Sequence, residues 1–234
     1  DEGYRWEQPV HKVIISRPFE IGKYAVTYNE FDRYTEDIQK SPVNLDAIDR
    51  GLMPASGVDW YDAAAYCNWL SEKAGLIPCY SGGGKVTKCD FQAGGYRLPT
   101  EAEWEFAARG GTKSQGYLYS GSDDADEVGW HVGNSDGYTH PVGQKQPNEL
   151  GIYDMSGNRW EWCWDWFGSD YYAESPEADP AGPTEIPKGA FADQRSRRSS
   201  SAVQEEDTLR VAFRSYDGMS YPGDNGLRLV RTVI

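Results

Sequence analysis

The chain has 234 residues, enough to bury a sizeable core in one or two domains. Its formal net charge of -14 denies it the basic footprint that phosphate binding needs, which excludes nucleic acid as a partner. No apolar run approaches the roughly 20 residues of a membrane helix, and the abrupt start at Asp1-Glu2-Gly3-Tyr4 is expected to follow a removed leader or upstream segment.

In chain order, residues 11-15 and 19-24 read as strands. Thr27 with Glu30 forms a capping-box pattern, and the helix after it places Phe31, Tyr34 and Ile38 on one face. Residues 40-57 carry Pro and Gly and read as loop. Asp59 caps a second helix through Lys73, with Trp60, Ala63, Ala64, Cys67 and Leu70 on its apolar face and Gly75 as its stop. Thr100 and Glu103 box a third helix that ends at Gly110-Gly111. The acidic residues near its start, Glu101, Glu103 and Glu105, suit the helix dipole better than they suit catalysis.

From 112 to 150 the chain is rich in Gly, Ser and Asp and reads as ordered irregular structure. Residues 174-188 read as a crossing loop, and 195-201 as a small polar basic tract. Segments 209-215 and 226-231 read as two alternating strands. Cys79 and Cys89 flank a hairpin-like loop that a disulfide could close, which favours an oxidising, extracytoplasmic setting. Cys67, on an apolar helix face, reads as a core residue.

Four of the nine tryptophans fall in Trp160-Glu-Trp-Cys-Trp-Asp-Trp166, directly after a turn at Ser156-Gly157-Asn158. Asp154 and Glu161 flank that turn. Two carboxylates around a Gly-Asn turn, with carbonyls between them, can wrap a hard cation such as Ca2+. The tryptophans anchor the corner to a core.

The segments Gly95-Tyr-Arg-Leu-Pro-Thr-Glu-Ala-Glu-Trp-Glu-Phe-Ala-Ala-Arg-Gly-Gly111, Gly151-Ile-Tyr-Asp-Met-Ser-Gly-Asn-Arg-Trp-Glu-Trp162, Arg210-Val-Ala-Phe-Arg-Ser215 and Gly226-Leu-Arg-Leu-Val-Arg231 resemble the formylglycine-generating enzyme (sulfatase-modifying factor) family, as does the helix around Val58-Asp-Trp-Tyr-Asp62. The resemblance implies an α+β protein with the formylglycine-generating-enzyme type of C-type lectin fold, one domain over 1-234, loop-rich. It also implies a structural Ca2+ held by the Asp154 side chain, the Gly157 and Arg159 carbonyls, and Glu161. Chelation is then expected to lower the melting temperature.

The family's chemistry does not carry over. Its enzymes bind copper through a cysteine pair, and the matching positions here are Ser201 and Glu206, neither a soft ligand. No cysteine follows Cys163, so no copper is expected. Some relatives, the variable proteins of diversity-generating retroelements, display ligand-binding residues near the C-terminus. The divergent segment 189-225 therefore becomes the expected contact surface for a protein or glycan ligand, through Phe191, Asp193, Gln194, Arg195, Arg197, Arg198, Tyr216, Asp217, Met219 and Tyr221. The alternatives are an enzyme using the same cleft and a structural subunit of a cell-envelope complex.

Overall fold

The computed structural model describes residues 3-43 and 50-234, so positions 44-49 of the predicted 40-57 loop lie outside the described residues. Helix α1, Tyr28–Asp37, starts at the expected capping box, with the Thr27 N–H donating to Glu30 Oε2 at 2.8 Å. Phe31 and Tyr34 are buried, but Ile38 stands at the C-cap, 43% exposed, off the buried face. Helix α2, Trp60–Lys73, starts at Asp59, whose carboxylate accepts the Asp62 N–H. It buries Trp60, Ala63, Ala64 and Cys67, and Gly75 follows it at φ +69. Helix α3, Glu101–Ala108, carries the Thr100/Glu103 box, and a one-turn α4, Ala125–Val128, interrupts the irregular stretch.

There are nine short strands: β1 Phe19–Ile21, β2 Tyr80–Ser81, β3 Lys88–Cys89, β4 Tyr96–Arg97, β5 Trp160–Trp166, β6 Gln194–Arg198, β7 Ser215–Gly218, β8 Asn225–Gly226 and β9 Val230–Thr232 among the described residues. They form a three-stranded sheet β1-β9-β4, a hairpin β2-β3, and a four-stranded sheet β7-β6-β5-β8 in which only β8 runs parallel to its neighbour. Among the described residues no helix is long and apolar enough to cross a membrane.

β5 carries the longest strand pattern in the chain, and its period of two sorts two cores. Trp162 and Trp166 enter the larger core with Phe31, Trp60, Tyr66 and Leu98, and Trp164 packs against it. Glu161, Cys163 and Asp165 point the other way, towards α3. Cys163 joins Trp104 and Ala108 in a second core, and the Asp165 carboxylate accepts the Glu101 N–H at 2.8 Å. The strand is thus buried on both faces, and its polar side chains must find partners inside.

Several sequence expectations fail for identifiable reasons. Residues 11-15 form no strand but a single bridge from Ile14 to Ala178. The alternation in 209-215 is not a ladder. Leu209 and Val211 are buried in two different clusters, while Arg210 and Arg214 turn to ion pairs with Glu7 and Glu101. β7 begins only at Ser215, and 226-231 is split between β8, which ends at Gly226, and β9, which begins at Val230 in a different sheet. The basic tract 195-201 runs along strand β6 and on to Ser201, with Arg195 and Arg198 buried. Cys79 and Cys89 are free thiols: register sets Tyr80, not Cys79, opposite Cys89, and the Cys79 thiol donates to the Gly95 carbonyl at 3.3 Å. An oxidising compartment loses that support.

Candidate functional site

The turn before β5 is built by strain that its neighbours hold in place. Asp154, Gly157 and Asn158 take φ of +59, +95 and +65. A Cβ on Gly157 would sit 2.3 Å from the Trp130 carbonyl, so this position admits only glycine. The Asn158 amide clamps both backbone groups of His140, and Ser199 Oγ donates to the Asp154 and Gly157 carbonyls at 3.0 and 2.9 Å.

Of the four Ca2+ donors expected from sequence, the Gly157 carbonyl and Glu161 are already engaged. Asp154 fits best: its Oδ2 accepts the Gly143 N–H, while Oδ1 is buried without a partner among the described residues. The Gly157 carbonyl already accepts from Ser199 and from the Arg159 N–H. The Arg159 side chain ion-pairs with Asp224. Glu161 does not fit. Both its oxygens accept from the Arg228 guanidinium, at 2.7 to 3.1 Å, and Oε2 also accepts the Trp104 indole N–H at 2.7 Å. The guanidinium and the indole N–H take most of the carboxylate's lone-pair sites, and the guanidinium charge opposes a cation beside it. Among the described residues no group of three His, Cys, Asp or Glu side chains is placed to hold a metal ion.

Burial raises the Asp154 carboxyl to about 6, against the Gly143 N–H and Arg228, which lower it, while nearby Glu161 raises it further. Its folded value lies above its unfolded one, so its contribution to stability is complete below about pH 4 and is lost as pH rises through 6. With a chelator present, Asp154→Asn should remove a slope of up to about 1.4 kcal/mol per pH unit between pH 4 and 6. Urea melts across that range check this, and an unchanged slope refutes it.

The ten residues expected to contact ligand do not form one surface. Arg195, Arg198 and Met219 are buried and cannot meet a partner. The Arg195 guanidinium lies 3.7 Å from the Trp166 ring centre and 4.0 Å from that of Trp60, and it donates to the Trp164 carbonyl. Arg198 pairs with Glu101 and Glu105. The rest divide across the two faces of the β6-β7 ladder. On one face Tyr216 packs against Phe167 and Phe191, with Trp6 of the N-terminal arm beside it. On the other, Arg197 donates to Asp217 and Asn225, and the Asn225 amide donates to the Tyr221 carbonyl. The Gln194 backbone pairs with Gly218, Asp193 ion-pairs with Lys85, and Tyr221 is 60% exposed. Sequence reading missed the arm: Tyr4 and Trp6 lie on Phe213 and Phe167 more than 160 residues away, and no local pattern announces that pairing.

At the positions of the copper cysteines, Ser201 is buried, its Oγ without a partner among the described residues, and the Glu206 carboxylate accepts the Tyr119 hydroxyl at 2.9 Å.

Mixed helices and short strands bound by long ordered loops define the class, and comparison with known proteins agrees. Residues 1-233 match the sulfatase-modifying factor enzyme 1-like domain, and the chain belongs to that family. The chaperone protein LppX of Paenibacillus barcinonensis is 36% identical, over 94% of this chain and 82% of its own. The formylglycine-generating enzyme of Streptomyces coelicolor is 39% identical over 59% of this chain, which spans 40% of that enzyme. Among solved structures, Treponema denticola variable protein 1 superposes over 100% of this chain and 90% of its own, with a TM-score of 0.85 and 30% identity.

Proposed function

We propose that this protein is a non-catalytic ligand-binding protein on the formylglycine-generating-enzyme scaffold, working outside the cytoplasm and meeting a protein or glycan through the outer face of β6-β7 and the turn after it. The observation that carries this reading is likeness along the whole chain to a variable protein, in a chain with no thiol at either copper position. Burial removes Arg195, Arg198 and Met219 from the contact set, and of the rest Arg197, Asp217 and Tyr221 lie together on one face, with Asp193 at the rim. The three buried residues support the fold instead.

Sequencing closely related copies from one source population tests this. Substitutions should concentrate at Arg197, Asp217 and Tyr221, while Arg195, Arg198 and Met219 stay fixed. Equal variation at both sets, or none at either, counts against a display surface. Turnover of a cysteine-containing sulfatase peptide to the aldehyde, with copper supplied, would overturn the non-catalytic reading.

A further inference from the structure

A cavity of about 510 Å³ opens between the N-terminal arm and α3, within the range of small-molecule sites. The arm contributes Val10, Val13 and Ile15, and the body contributes Phe106 and Tyr172. Val10 and Val13 are 90% and 37% exposed, so the mouth offers apolar surface that the fold leaves uncovered.

Nearly every charge on the wall is already satisfied. Glu7 takes both terminal nitrogens of Arg210 at 2.9 Å, Glu105 takes Arg109 and Arg198, and His11 meets Ser175 Oγ at 2.9 Å. Asp165 is the exception. It is 2% exposed and lines the cavity; its Oδ2 accepts the Glu101 N–H, and its Oδ1 accepts no hydrogen bond from the described residues. Glu101, Glu103, Arg214 and Arg195 are its charged neighbours, and Tyr171 and Cys163 are the other titratable groups near it.

We propose that this cavity binds a small amine with an apolar body, its ammonium against Asp165 and its hydrocarbon part between the arm and α3. A carboxylate ligand would find Arg109 and Arg210 already paired and would gain from the Asp165 carboxyl only a hydrogen bond, no ion pair. A neutral alcohol could hydrogen-bond Asp165 but gains no ion pair. Burial, and then Glu101, hold the Asp165 carboxyl well above the usual carboxylate range. An ammonium placed there leaves an aspartate-ammonium pair and returns the carboxyl proton to solvent.

Calorimetry with tryptamine, tryptophol and indole-3-propionate tests this, since the three share an indole body and differ in the head group. Tryptamine should bind with a dissociation constant of about 1 mM or tighter, as its size allows. The other two should bind at least tenfold more weakly. The tryptamine enthalpy should depend on buffer ionisation, because a proton is released, and Asp165→Asn should cost at least tenfold in affinity. Equal binding of all three probes, no binding of tryptamine, or an unaffected Asp165→Asn variant overturns the proposal. Should that variant fail to fold, a crystal of the native protein soaked in tryptamine decides, supporting the site with the ammonium at Asp165 and refuting it with the ligand elsewhere or absent.

Discussion

Glu101→Ala should cost about 3 to 5 kcal/mol of folding stability, the range for removing one partner of a buried ion pair. Glu101 is 3% exposed and serves two guanidiniums that are fully buried. Its Oε1 accepts from Arg214 at 2.8 Å and Arg198 at 3.1 Å, and its Oε2 from Arg214 at 2.8 Å and Ser196 at 2.9 Å. Burial alone would raise this carboxyl, yet Arg214, and after it Arg198 and Ser196, hold it at about 2. Among the described residues, alanine leaves Arg214 with the Trp6 and Gly168 carbonyls and the rings of Tyr172 and Phe167, but no counter-charge in contact. Such a loss is a large share of the roughly 5 to 15 kcal/mol that holds a domain together. The folded value lies below the unfolded one, so this contribution is present above about pH 4.5 and lost as pH falls towards 2. The gap between wild type and variant in urea should therefore narrow over that window. Glu105→Ala, at the partly open end of the same network, should cost less, because Arg198 keeps Glu101. A Glu101→Ala loss below about 1 kcal/mol would show that the hub contributes little.

The same acidic turn shows which parts of the fold the sequence makes legible. Caps and helices are local, so Thr27, Asp59 and Thr100 announced α1, α2 and α3 within a residue or two. The tryptophans of 160-166 read as anchors to a core and are that, but the strand they sit on, β5, was missed although Trp alternates there with Glu, Cys and Asp. What lay beyond a local reading were the partners. A glutamate in a first helical turn looks like dipole chemistry, and only the fold brings Arg198 and Arg214 to Glu101 from about 100 residues away. Arg195 and Arg198 read as surface charge because a buried arginine has no sequence signature apart from its partners, here a tryptophan cage and two glutamates. Within the candidate contact surface, strand parity divides the residues between two faces and the interior.

Glu161→Ala should likewise lose about 3 to 5 kcal/mol, and the cause separates two readings of one motif. As a Ca2+ ligand, Glu161 would matter only with metal present, and a chelator would erase most of the difference between variant and wild type. As the partner of Arg228 it matters always. Arg228 is fully buried, and besides Glu161 it has, among the described residues, only the Gly22 and Tyr153 carbonyls. The Trp104 indole N–H would also lose its acceptor, at a further cost of about 1 kcal/mol or more. The geometry favours the arginine, so the loss should be the same in chelator and in millimolar Ca2+. Arg228→Met should be as harmful alone, because it strands Glu161. Combined with Glu161→Leu it should recover part of the loss, because a buried pair replaced by apolar groups of like volume need cost little. If chelation lowers the wild-type melting temperature and makes Glu161→Ala indistinguishable from it, the carboxylate belongs to a cation, and the Arg228 contact is what the ion displaces.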